Sequence, residues 1–121
     1  MISIEIKVER LEDVVQFLEK APPRIQEKVD GQFGVGASIT AEQARELAPF
    51  RTGYLRSTIG FERQALLHWI VYAGAYYSGF LEYGTSKMAP RPYMRPALAL
   101  TKPTILALAK LGIQQALEER G

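Results

Sequence analysis

Prolines cut this chain into segments before any other feature does. Pro22-Pro23, Pro49, the series Pro90, Pro92 and Pro96, and Pro103 each remove a backbone donor and push the preceding residue away from helical geometry. Between the first pair and Pro49 lies the window 24–48, whose apolar positions Ile25, Val29, Phe33, Ala37, Ala44 and Leu47 mostly fit one helical stripe. Gly31, Gly34 and Gly36 interrupt it, each at a cost of about 1 kcal/mol relative to alanine. Either the helix breaks over residues 31–36 or the glycines admit close packing against a sheet. The helix-forming run 37–48 favours one long helix, bent if need be, that Pro49 stops.

The flanking segments read as shorter elements. Ile2, Ile4, Ile6 and Val8 alternate with Ser3, Glu5 and Lys7, the pattern of a strand with one buried face. Leu11, Val14, Val15 and Leu18 then predict a short amphipathic helix over 10–20. After a turn at Arg51-Thr52-Gly53, residues 54–63 and 66–73 are rich in Ile, Phe, Trp, Val and Tyr and read as an antiparallel hairpin. Its connection near Gln64 and Ala65 carries no glycine signal. Residues 76–83 read as a short helix closed by Gly84 at a left-handed cap position. Thr85 to Arg95 reads as an extended, exposed arm, and Pro96 suits the first turn of a final helix. That helix would bury Leu98, Ile105, Leu108, Ile113, Ala116 and Leu117, with Pro103 bending it or moving its start to Thr101 as N-cap. The sum is an α+β fold, a small and mostly antiparallel sheet packed against one long helix and a C-terminal helix. The 121 residues fit one domain spanning 1–121, with an N-terminal strand and short helix in 1–23 and the core in 24–121.

Chemistry finds little purchase here. The chain has no cysteine, so disulfides, thiolate metal sites and cysteine nucleophiles are excluded. His68 is the single histidine and has no metal-ligand spacing around it. Glu12-Asp13, Glu42-Glu46 and Glu118-Glu119 fall on helices beside basic residues, as solvated faces do. Ser57, Ser78 and Ser86 lack the context of an activated nucleophile, and the glycines form no phosphate loop. The expectation is a protein without catalytic residues, cofactor or metal. No run of about 18 consecutive apolar residues is present, so no membrane span is expected. Lys and Glu break up the N-terminal apolar stretch, which points to a cytoplasmic site of synthesis.

Charge and composition point instead to docking. Residues 1–49 carry six Lys or Arg against nine Asp or Glu, while residues 50–102 carry seven against two. Unlike halves suit head-to-tail self-association. In the arm, Lys87, Arg91 and Arg95 alternate with Met88, Tyr93 and Met94, residue types enriched at protein interfaces. Two other readings stay open: a loop folded back so that Tyr93 and Met94 fill core gaps, and a nucleic-acid-binding module in segment 51–95 using Arg51, Arg56, Lys87, Arg91 and Arg95. Of Tyr72, Tyr76, Tyr77, Phe80 and Tyr83, most are expected in the core and one or two at a subunit contact.

Three motifs in series carry a resemblance. Ala48-Pro49-Phe50-Arg51-Thr52-Gly53-Tyr54-Leu55-Arg56-Ser57 comes first, Tyr72-Ala73 with Glu82-Tyr83-Gly84-Thr85 second, and Pro92-Tyr93-Met94-Arg95-Pro96-Ala97 last. In order and spacing, over roughly residues 24–118, the chain resembles the neck or minor tail component family of long-tailed siphophages, typified by the gene-ten product of the Hong Kong lambdoid coliphage. The resemblance implies a non-enzymatic virion protein assembled in the bacterial cytoplasm, in the role of neck, tail completion or head-tail joining. It implies a homo-oligomeric ring, a hexamer being favoured, that contacts neighbouring neck or tail-tube proteins and surrounds a channel for DNA without reading its sequence. The subunit contacts would then use Arg51, Arg56, Tyr83, Thr85, Lys87, Met88, Arg91, Tyr93, Met94 and Arg95. The glycine-rich long helix and Pro103 depart from the family pattern.

Overall fold

The computed structural model describes residues 2–5, 16–49 and 53–118, the first of these as backbone. Strand β1 (Ile2–Glu5) is followed by a helical turn at 16–19, the long helix α1 (Pro23–Leu47), the single turn α2 (Tyr54–Ser57), strands β2 (Ile59–Ala65) and β3 (His68–Ala73), the short helix α3 (Ser78–Tyr83) and the C-terminal helix α4 (Met94–Glu118). The α+β class expected from the sequence is what the chain forms. The expected strand residues 6–8 and helix residues 10–15 lie outside the described residues.

Helix α1 runs through all three glycines without a break. Pro23 opens it at a position whose N–H has no helical partner anyway. At the other end Ala48 turns extended, its N–H bonding back to Ala44 O, ahead of Pro49. Gly34 shows why a glycine was placed here: a Cβ would stand 2.8 Å from the Trp69 ring of β3. The helix therefore trades local propensity for close approach to the sheet.

The sheet has three strands in the order β1-β3-β2, all antiparallel, with β3 central. Ile59 of β2 pairs with Ala73, Glu62 with Ile70, and the ladder slips between Arg63 and Ala65. The hairpin turn is Leu66-Leu67, two residues beyond the expected connection, and Leu67 takes a positive φ of 65° with no glycine to relieve it. Asp30 of α1 supports that conformation, accepting from Leu67 N–H at 2.7 Å, Trp69 Nε1–H at 3.1 Å and Arg63 Nε–H at 3.0 Å. Residues 54–57, expected as strand, form a helical turn instead. Gly53 enters it at φ 83°, and Ser57 and Thr58 hydroxyls bond back to Tyr54 O and Leu55 O, fixing a turn before β2 can start.

Helix α4 is continuous from Met94, so Pro103 neither breaks it nor moves its start to Thr101. Pro103 lies on the exposed side. The inward face is Met94, Ala97, Thr101, Ile105, Ala109, Gly112 and Ala116, with Leu98, Leu108 and Ile113 half-buried; the expected core residue Leu117 is exposed. Small residues on both helices let α4 lie along α1, where Thr40 and Thr101 share a buried hydroxyl bond of 2.8 Å. By length and composition α4 could cross a membrane, but here one side of it covers α1. The core has two lobes joined by Trp69, one around Ala41, Leu55, Val71, Tyr93 and Met94, the other around Leu18, Val29, Phe33, Leu67 and Ile105.

Candidate docking surface

Helix α3 is inside out. Ser78 and Glu82, four residues apart, face the core with no exposed surface. Tyr76, Phe80 and Tyr83 follow the same helical spacing on the opposite side and are 82%, 55% and 59% exposed. Tyr77 is half-buried and links outward, its ring 5.2 Å from Tyr76 and 6.5 Å from the exposed Tyr54. None of the five aromatics expected mostly in the core is fully buried. Their place is taken from elsewhere: Tyr93 and Met94 fill the space under α3.

Glu82 explains the inversion. Its Oε1 accepts from the backbone N–H groups of Tyr93 at 3.1 Å and Met94 at 2.8 Å, and Oε2 from Arg95 N–H at 3.2 Å and Arg95 Nε–H at 2.9 Å. The Arg95 guanidinium also donates to Glu82 O at 2.9 Å. A carboxylate thus caps the start of α4, where unpartnered donors and the positive end of the helix dipole favour an anion. Burial alone would raise this carboxyl, but the N–H groups of Met94 and Tyr93 and the Arg95 side chain outweigh it and hold Glu82 below its usual 4.5. Burial also pushes the Tyr93 phenol above its usual 10.0, with Glu82 and Tyr77 adding to the effect.

The clip shapes the arm. Thr85 and Met88 close a tight turn, N–H to O at 2.9 and 3.3 Å. Gly84 reaches it with φ 77° and ψ 179°, so its φ is positive as expected, though the backbone is not the left-handed helical cap. A side chain there would strike Met88 O and Pro90 at 2.9 Å. Arg91 N–H bonds Leu81 O at 2.7 Å, pinning the arm against α3. Only residues 85–92 are exposed throughout, so the extended arm expected through Arg95 ends early.

The ten residues expected at a contact therefore divide. Tyr83, Thr85, Lys87, Met88 and Arg91 lie together on the exposed side of α3 and the arm. Arg95 is tied inward to Glu82 while its guanidinium sits 4.7 Å from the Tyr83 ring centre, a stacking that stiffens the patch. Tyr93 and Met94 are corrected to the core: the Glu82 clip draws their backbone inward, and both side chains are fully buried. Arg56 is half-buried on α2, and Arg51 lies outside the described residues. Tyr76 and Phe80, both exposed, belong to a set of five aromatics that the sequence places mostly in the core, with one or two at a subunit contact. Their signal was the Ser78–Glu82 spacing opposite them, which puts two polar residues on the only side available to the core. Among the described residues no cluster of His, Asp and Glu could hold a metal ion, and His68 is exposed on β3.

A family model matches residues 12–84, described as a bacteriophage HK97-gp10 tail component. The match takes in α1, the hairpin and α3 and stops at Gly84, ahead of the arm and α4. Searches of curated proteins and of solved structures return no match. With more than half of its length matched, and with a rigid aromatic surface where catalytic groups would otherwise be sought, the chain belongs to the HK97-gp10-like family of bacteriophage tail components.

Proposed function

We propose that this tail component works as a subunit of a homo-oligomeric ring at the head-proximal end of the tail, in a neck, tail-completion or head-tail joining role. The observation that carries the proposal is the inverted helix α3, where a buried carboxylate that accepts four hydrogen bonds holds Phe80 and Tyr83, with Tyr76 of the preceding turn, in water. Exposed aromatics on a stiff frame lose little entropy on binding and anchor interfaces. Lys87 and Arg91 flank them and suit an acidic neighbouring surface. A head-to-tail contact of this kind closes into a ring when the rotation between subunits permits. A hexamer that passes DNA without reading its sequence is the form the reading favours, with tail-tube or neck proteins as neighbours, assembly in the host cytoplasm and residence in the virion.

Native mass spectrometry of the purified protein, together with the protein composition of mature particles, tests this reading. Ring-sized species, or incorporation into particles at ring stoichiometry, is the expected result. The double variant Tyr76→Ala/Phe80→Ala should stay folded and lose assembly. A chain that is monomeric at all concentrations and absent from particles overturns the proposal.

A further inference from the structure

Two surfaces of this chain are both partly apolar and unlike in charge. The α3 patch with the arm is basic: between Tyr76 and Arg95 Lys87 and Arg91 are exposed, and the single carboxylate, Glu82, is buried. On α1, Val35, Ile39, Glu42 and Glu46 recur in steps of four, three and four along one side, and all are exposed, Val35 at 46% and Ile39 at 39%. Arg45, the only cation between Lys28 and Arg51 in the sequence, is drawn toward the sheet, donating to Ile59 O at 2.9 and 3.3 Å and to Glu42 at 2.9 Å. Glu46 and the carbonyl end of the helix keep this border acidic, while Arg24 and Lys28 lie toward the helix start. The outward leucines of α4, Leu100 and Leu111, stand instead among Lys102 and Lys110, which carry the sign of the arm itself.

The two surfaces cannot meet within one chain. Val35, Ile39, Glu42 and Glu46 lie across α1 from Ala37, Ala41 and Ala44, which are buried in the core lobe that also holds Tyr93 and Met94 beneath α3. The patch thus belongs to the buried side of α1 and its charge complement to the other, as a head-to-tail contact requires. Small neighbours leave room for rings: Ser38 is half-buried beside Val35 and Ile39, and a side chain added at Gly31 would meet nothing within 4 Å. We propose that the α3 patch and arm dock on the outward side of α1 of a neighbouring copy, the rings against Val35 and Ile39 and Lys87 and Arg91 toward Glu42 and Glu46. This contact rests on the ring reading of the α3 patch and names the surface that the patch meets. Opposite charges at its border fix the direction in which subunits follow one another.

Charge reversal on the full-length chain tests the pairing. Lys87→Glu/Arg91→Glu and Glu42→Lys/Glu46→Lys alter exposed side chains, so both variants should melt like the native protein. Each alone should assemble about tenfold or more weakly than the native chain, because the docking borders then carry like charge. Assembly is read as ring-sized species in native mass spectrometry or as incorporation into particles. An equimolar mixture of the two variants should recover it, since every arm again meets a surface of opposite sign, and so should one chain carrying all four changes. Recovery in either case carries the contact. Full assembly of either variant alone, or recovery in neither the mixture nor the four-change chain, overturns this contact while the native ring stands. A native chain that is monomeric and absent from particles removes the ring reading and this contact with it.

Discussion

Glu82 shows how one side chain sets the geometry of a surface it never reaches. Water cannot solvate it, so its charge is tolerable only because three backbone N–H groups and Arg95 take water's place. Glu82→Gln keeps one acceptor and turns an amide donor toward other donors, and it should cost about 2–4 kcal/mol in urea unfolding. The sign of its pH dependence follows from the lowered carboxyl. The unfolded chain takes up the proton first, so the stabilisation is complete above 4.5 and is lost as pH falls through the lower folded value. The Gln variant should therefore show a flatter acid limb than the native protein; parallel limbs would place the acid sensitivity elsewhere. Little of this was legible in the sequence, because the donors lie 11 to 13 residues downstream of the carboxylate. The one available hint was negative: Pro92-Tyr93 offers α4 no Ser, Thr, Asp or Asn to cap it locally.

Among the elements, α1 and α4 were largely readable because periodicity over long windows survives local noise, whereas α2 and the hairpin turn were not. Tyr54 and Leu55 look like strand residues until Gly53 turns left-handed before them. Leu67 looks unfit for a turn until Asp30, on another element, supplies its partner. The glycines of α1 give a paired prediction. Gly31→Ala meets nothing within 4 Å and should stabilise by about 1 kcal/mol through helix propensity alone. Gly34→Ala gains the same propensity but drives a methyl into the Trp69 ring, a rigid group held by Asp30, and should destabilise by about 1–3 kcal/mol. Thermal melts of the two variants should move in opposite directions. The hairpin supplies a second pair. Asp30→Ala should cost about 2–4 kcal/mol, since two donors at the turn lose their acceptor, while Arg63→Ala, which removes only a half-exposed ion pair, should cost less than about 1 kcal/mol. Hydrogen exchange across 59–73 would separate them, with faster exchange expected only in the first.

At the scale of the whole molecule, the segment that marks the family and the segment that folds are different lengths. The match ends at Gly84, yet both core lobes are completed from beyond it, Tyr93, Met94 and Ala97 in one and Ile105 and Ala109 in the other. Each large apolar side chain in that set is worth about 1.5–3 kcal/mol on burial. Together with half-buried Leu98, Leu106 and Ile113, they amount to a sum comparable with the entire stability of a small domain, about 5–15 kcal/mol. Removal of α4 also leaves Glu82 as a buried carboxylate with none of the donors that now satisfy it. A chain ending at Pro92 should therefore fail to fold, with a non-cooperative melt and strong binding of a hydrophobic dye. Adding a peptide of residues 93–118 in trans should restore cooperativity, because α4 contributes packing and capping rather than any covalent constraint. A cooperative melt from the truncated chain alone would show that α1, the hairpin and α3 suffice. In that case α4 would be an appendage rather than the second half of the core.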